Sequence, residues 1–314
     1  MSFTDLLTIA MPCYERKDFF LGALESALNQ TVKCKIIVID NCSSHNYYEK
    51  ICIQKNVPYY RNDTNIGIAA NFSKGFELSD TKYVMNLQDD DKLHPAYVES
   101  FVSAINKYPD IDIFFPDFEM NTAQGIIPHP HTLPFGYMEN GAKIIEYGIK
   151  YKMGFPYMAS AIKKSKAPSI QEVFGLIGSY DWEWIYSHAN KLSFYGDPKK
   201  LYQFRYHNNQ DSTKKESIYR LSTPYIYDKI LKENVSDIKL KQKASKNAFW
   251  ELVILKSIAD SNKIKEYKNG NTKYNYYLKS KLKSHKILHI IFSTHQVLVM
   301  LIYKTIRKIG LIPS

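Results

Sequence analysis

Residues 83–95, YVMNLQDDDKLHP, pass from a short apolar run directly into three consecutive acids. The run has the length and composition of a buried β-strand, which we place at Tyr83–Leu87. Comparable runs occur at Leu6–Ala10, Lys35–Ile39, Tyr59–Arg61 and Ile111–Phe115. Stretches with a helical spacing of apolar residues lie between these runs. The sequence therefore predicts an α/β fold, built from βαβ units around a largely parallel sheet.

Four amphipathic stretches supply the helices of this prediction, at Asp18–Leu28, Tyr47–Gln54, Ala69–Leu78 and Pro95–Tyr108. Asp18 is a candidate N-cap, and Pro95 suits a first helical turn. Residues 121–137 contain three prolines and two glycines without a sustained period, so we predict a loop there. Loops of this length often bind ligands or act as lids.

Polar residues follow three of the predicted strands, where an open parallel sheet binds its ligands. They are MPCYE at 11–15, DNCSS at 40–44 and QDDD at 88–91. Three adjacent carboxylates repel one another unless a cation compensates them, and oxygen ligands suit Mn²⁺ or Mg²⁺. A solvated acidic turn is the alternative. An EF-hand is excluded, because Leu93 takes the next alternating position and no glycine follows.

Four segments, taken in order, resemble family 2 glycosyltransferases with the GT-A fold. They are LTIAMPCYERKDFFLGALESALNQT at 7–31, IIVIDNCSS at 36–44, NDTNIGIAANFSKGFELSDTKYVMNLQDDDKLHP at 62–95 and SYDWEW at 179–184. The resemblance covers roughly residues 5–215. It implies an inverting, hexosyltransferase-type enzyme with a catalytic GT-A domain at 1–215, followed by a helical, Lys-rich extension at 216–314.

The resemblance also implies a donor-nucleotide site, made of Pro12, Tyr14, Glu15, Asp40, Asn41, Asn65, Gly67, Asn71 and Asp89. Tyr14 would stack on the base, and Asp40 and Asn41 would bond the base or ribose. The family's usual pair is Asp-Asp, so Asn41 is a departure, and Glu15 replaces a usual Asn. For the residues from Asn65 to Asn71, a plain turn before an amphipathic helix is the alternative.

The same resemblance implies the reactive groups. The family's Asp-x-Asp-Asp becomes QDDD here, with Asp90 as the first choice for a metal ligand and Asp91 and His207 as further ones. Asp181 of SYDWEW matches the general base, with Tyr180 in place of the preceding Glu. The alternative for Asp181 is a helix N-cap. A nucleoside diphosphate would leave in a single displacement, which inverts the anomeric carbon.

Charge is distributed unevenly along the chain. The net charge is +11, yet Lys214–Ser314 holds 21 Lys and Arg against 7 Asp and Glu, which is +14 and leaves −3 for the rest. This pattern argues against a nucleic-acid partner and for an appendage that meets an anionic surface. Residues 287–303, ILHIIFSTHQVLVMLIY, are short and polar for a span, so we predict an interfacial helix on anionic lipid. A buried C-terminal helix is the alternative.

The partners and location follow from these features. A nucleotide-sugar donor and a glycan or lipid-linked oligosaccharide acceptor fit surface-polysaccharide assembly, on the inner face of the cytoplasmic membrane. The first residues lack a basic n-region, and the four cysteines show no zinc spacing, so a reducing cytoplasm is expected. Two alternatives are a sugar nucleotidyltransferase, disfavoured because MPCYERKD lacks glycine, and a non-catalytic scaffold of the same fold.

Overall fold

The computed structural model describes residues 5–152, 155–173, 179–207 and 222–258, together with Tyr277 and Ser280. The chain divides into two compact units. The first contains Met1–Leu176 and Tyr180–Thr213, and the second contains Ile177–Ser179 and Lys214–Ser314. Every predicted site residue lies in the first unit.

A mixed sheet of ten strands forms the centre of the first unit's described part. The strands are β1 Leu7–Cys13, β2 Lys35–Asp40, β3 Tyr59–Arg61, β4 Tyr83–Asn86, β5 Lys92–Leu93, β6 Ile113–Thr122, β7 Gly125–Pro128, β8 Gly136–Met138, β9 Ala161–Lys163 and β10 Phe194–Arg205. Their order is β3-β2-β1-β4-β9-β6-β10-β5, with β7 beside β6 and β8 beside β10. The first four strands of this order run parallel, and β9 is antiparallel to both of its neighbours.

The parallel part of the sheet brings its strand ends to one edge. Cys13 at the end of β1 pairs with Asp40 at the end of β2, while Ala10 pairs with Asn86 at the end of β4. All seven residues of β1 are buried. Strands covered on both faces are continuously apolar, which explains why these runs were visible in the sequence.

Helices in the first unit are α1 Phe20–Leu28, α2 Tyr47–Lys55, α3 Ile68–Leu78, α4 Tyr97–Lys107, α5 Ala142–Tyr151, α6 Ile170–Val173 and α7 Tyr180–His188. The predicted apolar face of α1 is buried. The predicted N-cap was wrong: Phe19 takes the cap position, without a side-chain cap bond, and Asp18 is exposed. The ring of Phe19 packs against His207, so tertiary packing sets the start of α1.

Residues 121–137 are only partly the loop that we predicted, since 129–135 lie outside any strand or helix. The end of β6, all of β7 and most of β8 fall in this segment. All four residues of β7 are exposed, so this strand lacks the alternation of apolar and polar residues that marks a half-buried strand in a sequence. Gly125 and Gly136 have φ values of +116° and +86°, which favour glycine. The glycines indicated turns in the sequence. The strands form because β7 pairs with β6 and β8 pairs with β10.

In the second unit, a helical turn at Thr223–Tyr225 leads into a π-helical stretch, Ile226–Leu231, and then into α8, Ile238–Ile258. Ala244, Ala248 and Leu252 are buried at a four-residue spacing. No helix in the described part of the chain is long and apolar enough to cross a membrane. The interfacial helix predicted at 287–303 lies outside the described residues.

Candidate active site

The acid cluster is buried at the carboxyl edge of the sheet. Asp89, Asp90 and Asp91 follow β4 and are only 5%, 3% and 1% exposed. Leu93 of β5, just after them, pairs with Tyr202 of β10 and so fixes the segment from its far side. A solvated acidic turn is therefore excluded, and each carboxylate needs a partner within the fold.

Asp91 finds its partners on β10. One carboxylate oxygen accepts a bond from the Tyr202 hydroxyl, and the other accepts one from the Arg205 amide at 2.7 Å. Burial, reinforced by the nearby Asp90 charge, raises the pKa of Asp91 well above its usual range. Because both oxygens are engaged, the geometry favours Asp91 as an anchor for β10 over a direct metal ligand.

Asp90 and His207 are brought together, although 116 residues separate them in the chain. The Nε2 atom of His207 lies 3.0 Å from Asp90 Oδ2. Arg205 donates from Nε to the Asp90 carbonyl at 2.8 Å. The ring of Phe19 packs against both Arg205 and His207, with centroid distances of 4.6 and 4.8 Å. These contacts hold the end of β10 against the acid cluster.

Arg16 is a member of this site that the sequence analysis missed. Its Nη1 atom lies 2.8 Å from Asp89 Oδ1 and 2.6 Å from Asp90 Oδ2. The signal was present, since Arg16 follows β1 and the ends of β1 and β4 meet at one edge. Three adjacent carboxylates require positive charge nearby, and Arg16 supplies part of that charge.

The acid cluster has a limited set of ligands for the predicted divalent cation. No three His, Cys, Asp or Glu residues converge on one point among the residues described, because Asp91 turns towards β10. However, Asp90 Oδ1 is buried and has no hydrogen-bond partner within the described chain. Mg²⁺ is usually held by one or two carboxylates, with phosphate oxygens completing its shell. The donor set fits that mode of binding, with Asp90 as its centre.

Asp40 is turned into the protein. It is fully buried, and one oxygen accepts bonds from the Ser43 amide and hydroxyl at 2.9 and 2.6 Å. The other oxygen accepts bonds from the Tyr59 hydroxyl at 2.7 Å and from Arg61 at 2.8 Å. Asp40 therefore holds the loop after β2 in place. A nucleotide would contact the residues that Asp40 positions, and not Asp40 itself.

Asn41 is the centre of an amide network that holds the next loop. Its Nδ2 donates to Asn65 Oδ1 at 2.9 Å and to the Gly67 carbonyl at 3.4 Å. Its Oδ1 accepts from Asn62 Nδ2 and from the Ile66 amide, both at 3.0 Å. An aspartate would lack the two donated bonds, so this departure from the family pattern has a structural reason.

Asn71 extends the network into α3. It accepts a bond from Asn62 at 2.8 Å and donates to the Ile39 carbonyl at 3.3 Å. Gly67 precedes α3 with φ +85°, a backbone conformation that glycine tolerates best. Asn65, Gly67 and Asn71 thus lie together and join α3 to the end of β2.

Tyr14 and Glu15 differ in what they offer to a ligand. Tyr14 is 45% exposed at the carboxyl edge and is free of the Asn network, while Pro12 is buried within β1. Glu15 has φ +55°, and its carboxylate accepts bonds from the Ser44 amide and hydroxyl at 2.5 and 2.9 Å. Tyr14 is accessible for stacking, and Glu15 ties the ends of β1 and β2 together.

Asp181 is the second residue of α7. The preceding Tyr180 packs with Ala69 and Phe72 in the first turns of α3, which starts where β2 ends. Burial raises the pKa of Asp181 to about 6, partly offset by bonds from backbone amides. Trp184 is buried against Tyr157, which gives it a core role.

A mixed α/β sheet with a buried acidic turn and polar loops gathered at one carboxyl edge is the architecture of GT-A proteins. The chain belongs to glycosyl transferase family 2, whose model matches residues 8–164, half of the 314 residues. The predictions of fold class and family are therefore confirmed.

Curated relatives agree with this family. An uncharacterized glycosyltransferase of Haemophilus influenzae is 30% identical over 115 residues, covering 35% of this chain and 38% of that protein. One from Rickettsia typhi is 26% identical over 228 residues, covering 67% of this chain and 66% of that protein. The matches thus span between about a third and two thirds of these relatives' lengths.

Solved structures share the fold at low sequence identity. S. aureus TarS 1–349 in complex with UDP-GlcNAc superposes with a TM-score of 0.63 at 11% identity, covering 96% of this chain and 92% of that one. GalNAc-T7 with UDP, GalNAc and Mn²⁺ gives a TM-score of 0.51 at 13% identity, covering 77% of this chain and 55% of that one.

Proposed function

We propose that the protein transfers a sugar, of the hexosyl type, from a nucleoside-diphosphate sugar to a hydroxyl group of a glycan or lipid-linked glycan. Residues 1–215 form the catalytic domain in this proposal, and 216–314 form a helical extension. The observation that carries it is the gathering of Asp89, Asp90, Arg16 and His207 in one buried cluster, at the edge where Tyr14 is exposed.

The donor would lie across the ends of β1, β2 and β4. Tyr14 offers an accessible ring for the base, and the loops held by Asp40 and Asn41 shape the wall beside it. UDP is the favoured nucleotide, since UDP-GlcNAc and UDP are bound by TarS and GalNAc-T7, which share this fold.

Asp90, with Asp89 and His207 beside it, would hold Mn²⁺ or Mg²⁺. When bound, the cation supplies positive charge that neutralises the departing diphosphate. Asp91 contributes indirectly, because its bonds to Tyr202 and Arg205 hold His207 close to Asp90.

Asp181 would accept the proton of the acceptor hydroxyl while that oxygen attacks the anomeric carbon. The oxygen of the acceptor forms the new glycosidic bond, the bond to the diphosphate breaks, and the proton remains on Asp181. A single displacement from the face opposite the leaving group inverts the anomeric configuration. The raised pKa of Asp181 suits this task, since a base works best near the operating pH.

A donor screen tests the proposal. The full chain is incubated with a panel of nucleotide sugars and Mn²⁺, and the released nucleoside diphosphate is measured. We expect release from one class of donor, and a fall of about a hundredfold or more in Asp90→Ala, comparable to losing a major electrostatic group from an active site. Asp80→Ala is the matched control, since Asp80 is exposed and pairs with Lys35.

Two outcomes would contradict the proposal. Absence of release with every donor would favour a non-catalytic scaffold of the same fold. Release that is equal in Asp90→Ala and Asp80→Ala would remove the acid cluster from the reaction.

A further inference from the structure

Arg16 joins the two carboxylates, Asp89 and Asp90, that the proposed function assigns to the divalent cation. A single nitrogen, Nη1, contacts one oxygen of each carboxylate, at 2.8 and 2.6 Å. The Asp90 oxygen that it contacts is also the one 3.0 Å from His207 Nε2. Two of the residues that could bind a divalent ion, Asp89 and Asp90, are therefore the ones that hold the guanidinium.

The backbone of Arg16 is fixed, so any exchange must involve its side chain. The hydroxyl of Tyr48 accepts a bond from the Arg16 amide at 2.6 Å and donates one to its carbonyl at 2.7 Å. Tyr48 itself is fully buried. The Arg16 side chain, in contrast, is 20% exposed and has a route to solvent.

A divalent ion could use Asp90 Oδ1, which has no hydrogen-bond partner in the described chain, but it would then share the Asp90 carboxylate with Arg16. Two positive charges at contact distance repel strongly where little water screens them, and the carboxylates are almost completely buried. An Arg–carboxylate bond is charge-assisted and roughly twice as strong as a neutral one, so Arg16 is a substantial competitor.

We infer that Arg16 and the divalent cation compete for Asp89 and Asp90. Without the metal, the guanidinium neutralises the two carboxylates and holds them in place. When the ion binds, the guanidinium leaves and becomes available at the edge where the donor diphosphate would lie. This inference rests on the proposed function, and it makes Arg16 a positioning residue that sets the affinity for the metal.

The test measures binding of Mn²⁺ alone by the full chain, using electron paramagnetic resonance to count free Mn²⁺ during a titration. We expect Arg16→Gln to bind Mn²⁺ about tenfold more tightly than the wild type, as for the loss of a competitor worth about 1.4 kcal/mol. Arg16→Lys should fall between them, because an ammonium lacks the planar fork of a guanidinium. Lys55→Gln is the control for lost charge, since Lys55 pairs with Glu25 on the surface, and it should match the wild type.

Circular dichroism melting checks that each variant folds. If Arg16→Gln does not fold, Arg16→Lys decides the question by the same titration. Unchanged or weaker Mn²⁺ binding in the folded variants overturns the inference, as does the absence of Mn²⁺ binding by every protein. If binding is unchanged in Arg16→Gln but lost in Asp90→Ala, the inference fails while the proposed function stands.

Discussion

Asp181 illustrates at the scale of one residue how burial can prepare a side chain for chemistry. Asp181 is partly buried in the first turn of α7, and its carboxyl group lies near the buried rings of Tyr157 and Tyr186. Desolvation disfavours the charged form and raises the pKa to about 6. A carboxylate with this pKa holds a proton more readily than an ordinary aspartate does.

The pH dependence of the reaction should therefore have an acid limb near pH 6. Asp181 must be ionised to accept a proton, so the rate should rise between about pH 5 and pH 7, with a midpoint close to the raised pKa. Initial rates of nucleoside-diphosphate release at saturating donor measure this limb. A midpoint near the ordinary aspartate value of about 4 would contradict the role of Asp181.

Asp181→Asn should separate stability from activity. Because the folded-state pKa is raised, ionisation costs folding free energy above about pH 6, whereas below about pH 4 both states bind the proton and the cost disappears. We expect the variant to be about 1 to 2 kcal/mol more stable at pH 7, with the difference lost at low pH. Its activity should fall by about a hundredfold or more.

Urea unfolding at pH 7 and at low pH measures the stability difference. Asp63→Asn, at an exposed position, should show neither effect. The difference in the free energy of unfolding between Asp181→Asn and the wild type could instead become less favourable to the variant as the pH rises to 7. That result would show that the charge of Asp181 stabilises the fold.

Single residues also show what the sequence could indicate. Asp90 and His207 were predicted from their order in the chain, and the structure places them 3.0 Å apart. Arg16 was missed, although it follows β1 and its two partners follow β4, the neighbouring strand. The sequence also did not indicate in which direction each carboxylate points. Asp40 and Asp91 turn towards protein donors that no local pattern reveals.

At the scale of elements, the ends of β1, β2 and β4 build the site, and hydrogen bonds between loops set its shape. Continuous apolar runs predicted these strands well, because both faces of the sheet are covered. Strands β5, β7, β8, β9 and β10 were not predicted, and β7 illustrates the reason, because its residues are exposed and its conformation depends on pairing with β6. Short edge strands of this kind depend on tertiary partners more than on their own sequence.

The Asn41 network gives a prediction at this scale. In Asn41→Asp, a carboxylate oxygen would face Asn65 Oδ1 and the Gly67 carbonyl, so two donated bonds are lost inside the protein. We expect a loss of about 1 to 3 kcal/mol in the free energy of unfolding, together with a raised KM for the donor. Chemical unfolding and steady-state kinetics measure the two effects.

Asn140→Asp is the matched control for this substitution. The Asn140 side chain accepts a bond from the Ala142 amide at the start of α5, a task that a carboxylate performs equally well. Equal stability of Asn41→Asp and the wild type would mean that Asn65 reorients at little cost.

In the molecule as a whole, the excess of basic residues and the candidate active site lie in different parts of the chain. The first unit contains the candidate site, and the basic excess belongs to residues after Lys214. We propose that this basic part binds an anionic membrane surface, where a lipid-linked acceptor would be found. The composition indicates where the positive charge lies. The donor sugar, the acceptor and the linkage depend on binding surfaces, which composition does not describe.

Vesicle sedimentation tests the membrane proposal. The full chain should co-sediment with vesicles that contain anionic lipid and not with neutral ones, and truncation after Gly270 should abolish the binding. Each basic residue near such a surface contributes roughly 1 kcal/mol. Replacing Lys281, Lys283 and Lys286 with Gln keeps the chain length and should weaken binding markedly. Sedimentation that is unchanged by both alterations would locate the binding elsewhere.

The proposed reaction depends on a divalent cation that binds at Asp90 beside the donor diphosphate. Crystals grown with UDP and Mn²⁺, measured at the manganese absorption edge, test it most directly. We predict one anomalous peak within about 2.5 Å of an Asp90 carboxylate oxygen and of a diphosphate oxygen, with the Arg16 guanidinium moved away. Bound UDP with no such peak, and with Arg16 still joining Asp89 to Asp90, would exclude a metal site at Asp90.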